Sequence, residues 1–267
     1  MTHHDTHPPL PMATKIYPSF GRCIYCLEKF DGAQLTDEHI IPLQLEGTSI
    51  IRDACCEPCR KRSNEFEHKA MYNDLLVPRI LLGLKRTRRK GNPPQLPPVL
   101  LNPPATPEEE EAEKKVILEA HQYPPVLEII GFPRAGMLAG VERGGSLSTI
   151  RIVFKHTGKT PQYLANTMKL RHSHDHTSIA LTVLKIAYCH AIGELGIDGF
   201  DGDPHRALIL GYRDDIYNFV GMEPNQHISG RRHLHHLRLS KSGGFRTVIV
   251  YLLGGYGVPA YEVVIGK

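Results

Sequence analysis

The sequence predicts an α+β protein in two parts, on three observations. Two C-x-x-C pairs, Cys23/Cys26 and Cys56/Cys59, frame a compact N-terminal segment. A proline-rich run follows over 91–107, and beyond it short apolar runs surround one long stretch with helical spacing. A length of 267 residues suits two domains with a substantial core. The expected divisions are a flexible His- and Pro-rich tail over 1–20, a cysteine-framed module with a basic arm over 21–90, a proline-rich linker over 91–107 and an accessory α+β domain over 108–267.

The cysteine spacing lets each pair grip one side of a tetrahedral ion, so Cys23, Cys26, Cys56 and Cys59 are the expected ligands of a structural Zn2+. A four-cysteine zinc site is coordinatively closed and performs no chemistry itself. Cys55 stands in C-x-x-x-C relation to Cys59 and reads as a spare buried thiol, and Cys189 falls in an apolar helical run and reads as a core residue.

Between the cysteine pairs lies Thr36-Asp37-Glu38-His39-Ile40-Ile41-Pro42, a short apolar strand carrying acid and imidazole, and just after them comes Ser63-Asn64-Glu65-Phe66-Glu67-His68. This combination resembles the HNH endonuclease family, whose ββα-metal fold packs two strands and a helix around one catalytic cation. The resemblance rests on Cys23, Cys26, Glu38 to Pro42, Cys56, Cys59 and Phe66 to His68, about a quarter of the chain.

The resemblance implies hydrolysis of phosphodiester bonds in DNA. His39 would be the general base, since an unshifted imidazole near pH 6.5 is largely neutral at cellular pH. Glu38 and His68, or their neighbours Asp37 and Glu67, would hold the catalytic cation, Mg2+ or Mn2+. Neighbours on a regular strand point to opposite faces, so Glu38 and His39 share one centre only if the strand is distorted; Asp37, which alternates with His39, is the rival ligand. On the helix, Asn64 and His68 are four apart and share a face, with Glu67 close to it. Where the family carries its middle Asn, this chain has Arg60. Asn64 takes over that role, or Arg60 contacts phosphate instead, or the role is missing. The alternative from another class is a zinc-ribbon module that binds nucleic acid or protein without catalysis.

The apolar stretch Leu75–Leu84 extends the module, and Lys85-Arg86-Thr87-Arg88-Arg89-Lys90 follows as the densest basic cluster. Lys85, Arg86, Arg88, Arg89 and Lys90, together with Arg60, are the expected phosphate contacts, giving affinity without sequence choice. An acidic helix start is expected over Glu108–Lys115. Strands are expected at Val126–Ile130, Ser148–Phe154, Ala207–Leu210, Leu234–Leu239, Thr247–Leu253 and Ala260–Ile265. One helix is expected from about Thr177 to Leu195, capped by Asp175 or Thr177 and stopped by Gly196. The histidines of Arg171–His176 fail the spacing of a metallo-hydrolase motif, and His233, His235 and His236 read as an exposed strand edge.

Charge is nearly balanced, 32 basic residues against 28 acidic, so net charge alone does not single out nucleic acid. No apolar run reaches the length expected of a membrane span, and the N-terminus lacks an export signal. Reduced, zinc-held thiols then suit the cytoplasm. The accessory domain is expected to bind a target, a protein partner or a second copy of the chain.

Overall fold

In the computed structural model the described residues are 10, 12–30, 34–84, 95–101, 114–123, 126–142, 148–153, 168–170, 174–222 and 233–267. The N-terminal module is a three-stranded sheet followed by a helix. Strand β1 (Ile16–Tyr17) runs parallel to β3 (Ile50–Cys56), which pairs antiparallel with β2 (Leu35–His39) on its other side. Helix α1 (Glu57–Tyr72) starts directly off β3: Cys56 is still extended, Pro58 sits in the first turn where no N–H is needed, Glu57 opens the helix and Lys69 lies in its last turn. The short helix α2 (Leu76–Leu81) brings in a buried Arg79, whose guanidinium donates to the carbonyls of Met71 at 2.9 Å and Gln44 at 3.3 Å.

Further along, β4 (Val99–Leu101) pairs with β5 (Lys114–Val116) and β8 (Met168–Leu170), and β6 (Val126–Gly131) pairs with β7 (Ser148–Val153), the short helix α3 (Gly136–Ala139) lying between the last two. Helices α4 (His176–Leu195) and α5 (Asp203–Leu210) precede an antiparallel sheet of β9 (Val220–Met222), β10 (His236–Ser242), β11 (Phe245–Tyr251) and β12 (Tyr261–Gly266), in the order β10-β11-β12-β9. Gly243 and Gly244 both have positive φ, 55° and 82°, as a tight hairpin between β10 and β11 requires.

Helix α4 is the centre of the molecule. The Asp175 carboxylate accepts from Ser178 N–H at 2.9 Å, and Gly196 ends the helix at φ 83°. Nearly every residue from Ser178 to Ile192 is buried, as expected of a helix apolar on all sides. It packs on α1 across one flank and on β11 and β12 across the other. By length and composition alone α4 is long enough to cross a membrane, contrary to expectation, yet most of it is buried inside the protein.

One hydrophobic cluster runs from Cys23 to Ile265, so the elements on both sides of the expected linker over 91–107 share a core. The tail is also less free than expected: β1 pairs with β3, the Tyr17 ring covers Gly193 of α4, and Lys15 and Tyr17 both donate to Glu194. Ala207–Leu210 is the end of helix α5 instead of a strand, with Pro204 in its first turn and Gly211 closing it at φ 83°; a four-residue apolar run does not distinguish the two. Lys114–Val116 is a strand where a helix is expected, and the rest of that helix, over 108–113, lies outside the described residues. Within the proline-rich run, 91–94 and 102–107 also lie outside them, and Val99–Leu101 is strand β4.

Candidate metal centre and active site

The first cysteine pair sits in a tight knuckle. Leu27 adopts φ 64°, its N–H donates to Cys23 O at 3.0 Å, and Cys23 N–H donates to Glu28 O at 3.0 Å. The second pair straddles the junction of β3 and α1, and Cys56 N–H points at the Cys23 sulfur, 3.5 Å away. The Sγ atoms of Cys23, Cys26, Cys56 and Cys59 all lie within 4.8 Å of one another, and those of Cys26 and Cys56 are 3.8 Å apart. A tetrahedron with metal–sulfur bonds of about 2.3 Å has edges of about 3.8 Å, so the four residues fit a zinc-sized ion. Their acidities point the same way. The thiols of Cys55 and Cys59 hold Cys23 well below the usual thiol range, burial pushes Cys26 up to about 12, and Cys23 and burial push Cys59 far up. A bound dication would hold all four sulfurs as thiolates. Cys55 is buried beside the site, its sulfur 3.5 Å from Cys56 O, and Cys189 hydrogen-bonds Tyr25 in the core, both outside the ligand set.

The strand distortion that the acid–imidazole pair requires is present. Thr36 pairs with Cys55 but Glu38 pairs with Ile51, so β3 carries two more residues than β2 across this step, and Asp53 is driven to φ 42°. Asp37 fills the irregularity: its carboxylate accepts from Asp53 N–H at 3.1 Å and from the Arg52 guanidinium at 2.6 Å. Asp37 is thereby spent on the backbone, and Glu38 is the acid that turns inward, 7% exposed.

On α1 the inward residues are Cys59, Ser63, Phe66, Ala70 and Met71, with Glu67 half-turned toward them. Glu67 reaches the site. His68 does not: it is exposed and stacks on Tyr72 with ring centroids 4.3 Å apart. Asn64 is exposed as well. Their shared helical face is real, but it is the solvent face, since the cysteine anchor at Cys59 sets the rotation of the helix. Arg60, in the middle motif position, pairs with Glu57 on the surface of α1. Lys85, Arg86, Arg88, Arg89 and Lys90 lie outside the described residues.

The group that joins Glu38 to Glu67 comes from α4. Lys185, 1% exposed, places its ammonium against Glu38 Oε1 and donates to the main-chain carbonyl of His39. Its Nζ is also 3.0 Å from Glu67 Oε1, an ion pair whose geometry falls short of a regular hydrogen bond. Burial disfavours the charged form of Lys185, but Glu38 and then Glu67 outweigh it and hold the amine above the ordinary lysine value. Burial raises Glu67, with Lys185 opposing and Glu38 adding to the rise. His39, half-buried at the end of β2, is held below the ordinary imidazole value by burial first and the Lys185 ammonium second, against the pull of Glu38. Two carboxylates therefore converge as a divalent-cation site requires, but a buried ammonium already stands between them. A second cation does not fit there while Lys185 is in place.

Two of the C-terminal histidines, His235 and His174, are structural. His235 is buried; its Nε2 donates to Leu45 O at 2.6 Å and its Nδ1 accepts from Leu253 N–H at 3.1 Å. His174 pairs with the buried Asp74 at 3.0 Å, and Asp175 N–H donates to the other Asp74 oxygen at 3.1 Å, tying the start of α4 to the loop after α1.

Residues 23–76 match the family model described as HNH endonuclease. The matched segment holds both cysteine pairs, β2, β3 and α1. Searches of curated proteins and of solved structures give no match to the chain.

Proposed function

From the HNH endonuclease module at residues 23–76, we infer that the chain is a nuclease that hydrolyses phosphodiester bonds in DNA, with His39 as general base. The observation that carries this is the placement of His39: at the end of β2 opposite Ile50, half-buried, and held toward its neutral form by burial and by the Lys185 ammonium. A neutral imidazole takes the proton of the attacking water. Lys185, by donating to the His39 carbonyl and pairing with Glu38, fixes the strand end that carries the ring. Zn2+ on Cys23, Cys26, Cys56 and Cys59 supplies a cross-link between knuckle and helix when bound, and no chemistry. Arg60 and the basic arm 85–90 provide cations for the DNA backbone, the arm on the strength of its sequence. The Mg2+ or Mn2+ implied by the resemblance has Glu38 and Glu67 as its available ligands, and both are held by Lys185, so no step is assigned to it. Reduced thiols around zinc suit a cytoplasmic setting.

That same lysine favours a second reading, a module that binds nucleic acid without cutting. Nicking of supercoiled plasmid by the zinc-loaded chain, with Mg2+, with Mn2+ and with chelator, beside His39→Ala, separates the two. The nuclease reading expects His39→Ala to lose on the order of 10²- to 10⁴-fold in rate while retaining salt-sensitive DNA binding. Equal behaviour of both proteins, whether cutting or inert, refutes His39 as the base.

A further inference from the structure

We propose that the ammonium of Lys185 is the resident cation of the Glu38–Glu67 site, and that this site takes no divalent metal while helix α4 is seated. The inference rests on the HNH module placing its cation at these acids, and it assigns to the C-terminal region a part of the site that residues 23–76 do not contain.

Three features carry it. The first is contact: Nζ meets one oxygen of each carboxylate and the carbonyl of His39, so a single positive group bridges β2 and α1. The second is immobility. Lys185 is 1% exposed, and its helical neighbours Leu184 and Ile186 are wholly buried, so its stem cannot swing into water unless α4 leaves α1. The third is charge. A metal bound to Glu67 Oε1 at about 2.1 Å would stand at most about 5 Å from Nζ, and that oxygen is 3.0 Å from the ammonium. Two cations so close in a water-poor pocket repel strongly, and a dication would raise the net charge of the site, two carboxylates and one ammonium, from minus one to plus one. Lys185 is thus a positioning residue: it braces Glu38, Glu67 and the His39 main chain from a helix distant in sequence.

Mn2+ tests this without reference to cutting. The zinc-loaded full chain is titrated with Mn2+, and the loss of the free-ion EPR signal is read for wild type, Lys185→Met, Glu67→Gln and the Lys185→Met/Glu67→Gln pair. Methionine keeps the length of the apolar stem, and Lys185→Gln serves if it does not fold. The expected result is no uptake assignable to the acids in wild type, one equivalent gained in Lys185→Met, and its loss in the double variant. Uptake by wild type that Glu67→Gln abolishes overturns the proposal. So does a folded Lys185 variant that gains no Mn2+, because the acids are then no cation site. A chain that cuts no DNA but shows the expected Mn2+ pattern loses the nuclease reading and keeps the resident lysine.

Discussion

Replacing His235 by glutamine tests how the C-terminal sheet holds the loop that follows β2. The His235 ring donates to Leu45 O and accepts from Leu253 N–H, a pair of bonds that only the neutral tautomer makes. Burial, partly opposed by the Leu45 carbonyl, pushes this imidazole from 6.5 down to about 4. The unfolded chain takes up the proton as pH falls through about 6.5, whereas the folded chain resists until about 4. The stabilisation is therefore complete above about pH 6.5 and is lost progressively as pH falls toward 4, at about 1.4 kcal/mol per pH unit and about 3 kcal/mol in all. Between pH 7.5 and 5.5 the loss is roughly 1 to 2 kcal/mol. Glutamine keeps a donor and an acceptor but does not titrate. Urea unfolding at both pH values, followed by far-UV circular dichroism and by the emission of 11 tyrosines in a chain with no tryptophan, reads the difference. His190, also pushed down to about 4 by burial, contributes equally to both proteins and cancels. The wild type is expected to be the more stable at pH 7.5, and the gap is expected to narrow by roughly 1 to 2 kcal/mol at pH 5.5. An unchanged gap refutes the neutral, two-sided tether.

Tyr188→Phe removes the hydroxyl that donates to the buried Ile24 carbonyl and is expected to cost about 1–3 kcal/mol in the same unfolding assay, with zinc content unchanged. Gly47→Ala places a Cβ 1.8 Å from the Ile41 carbonyl oxygen, so the backbone must move; a loss of about 3 kcal/mol or more is expected, against about 1 kcal/mol for Gly83→Ala, where φ is +63° but space is open. Thermal melts rank the two. The purified chain is expected to carry one equivalent of Zn2+ by elemental analysis, and Cys59→Ser or a strong chelator is expected to remove it with a marked fall in Tm.

Much of the site is legible in the sequence because its signals are local. Cysteine spacing gives the metal frame, and the Glu38-His39-Ile40-Ile41-Pro42 run gives the strand that carries the imidazole. The ends of α4 follow from Asp175 and Gly196. Helical spacing correctly groups Asn64 with His68, yet it does not say which face meets the sheet, and the attachment at Cys59 turns that pair outward. Long-range pairing is invisible to spacing. Lys185 appears in the sequence as one charge inside an apolar helix, and the available clue is that a lysine is almost never fully buried without an acid. The choice of Glu38 and Glu67 as its partners is decided by the packing of α4 on α1. The same holds for His235, whose partner Leu45 lies 190 positions away.

Lys185 stands 146 positions after the carbonyl it binds, and this separation sets an order of events during synthesis. Residues 23–76 contain every ligand of the cysteine site, so the knuckle, β3 and α1 can be drawn together by zinc as soon as that segment has emerged. The acidic pair has no such local partner. At roughly 5–20 residues per second, on the order of ten seconds pass before the far end of α4 is made, and through that interval Glu38 and Glu67 face water. Closure of the site is a late, non-local step with the entropic cost of a long loop. A nascent or truncated chain thus presents an open carboxylate pair that the finished protein keeps covered.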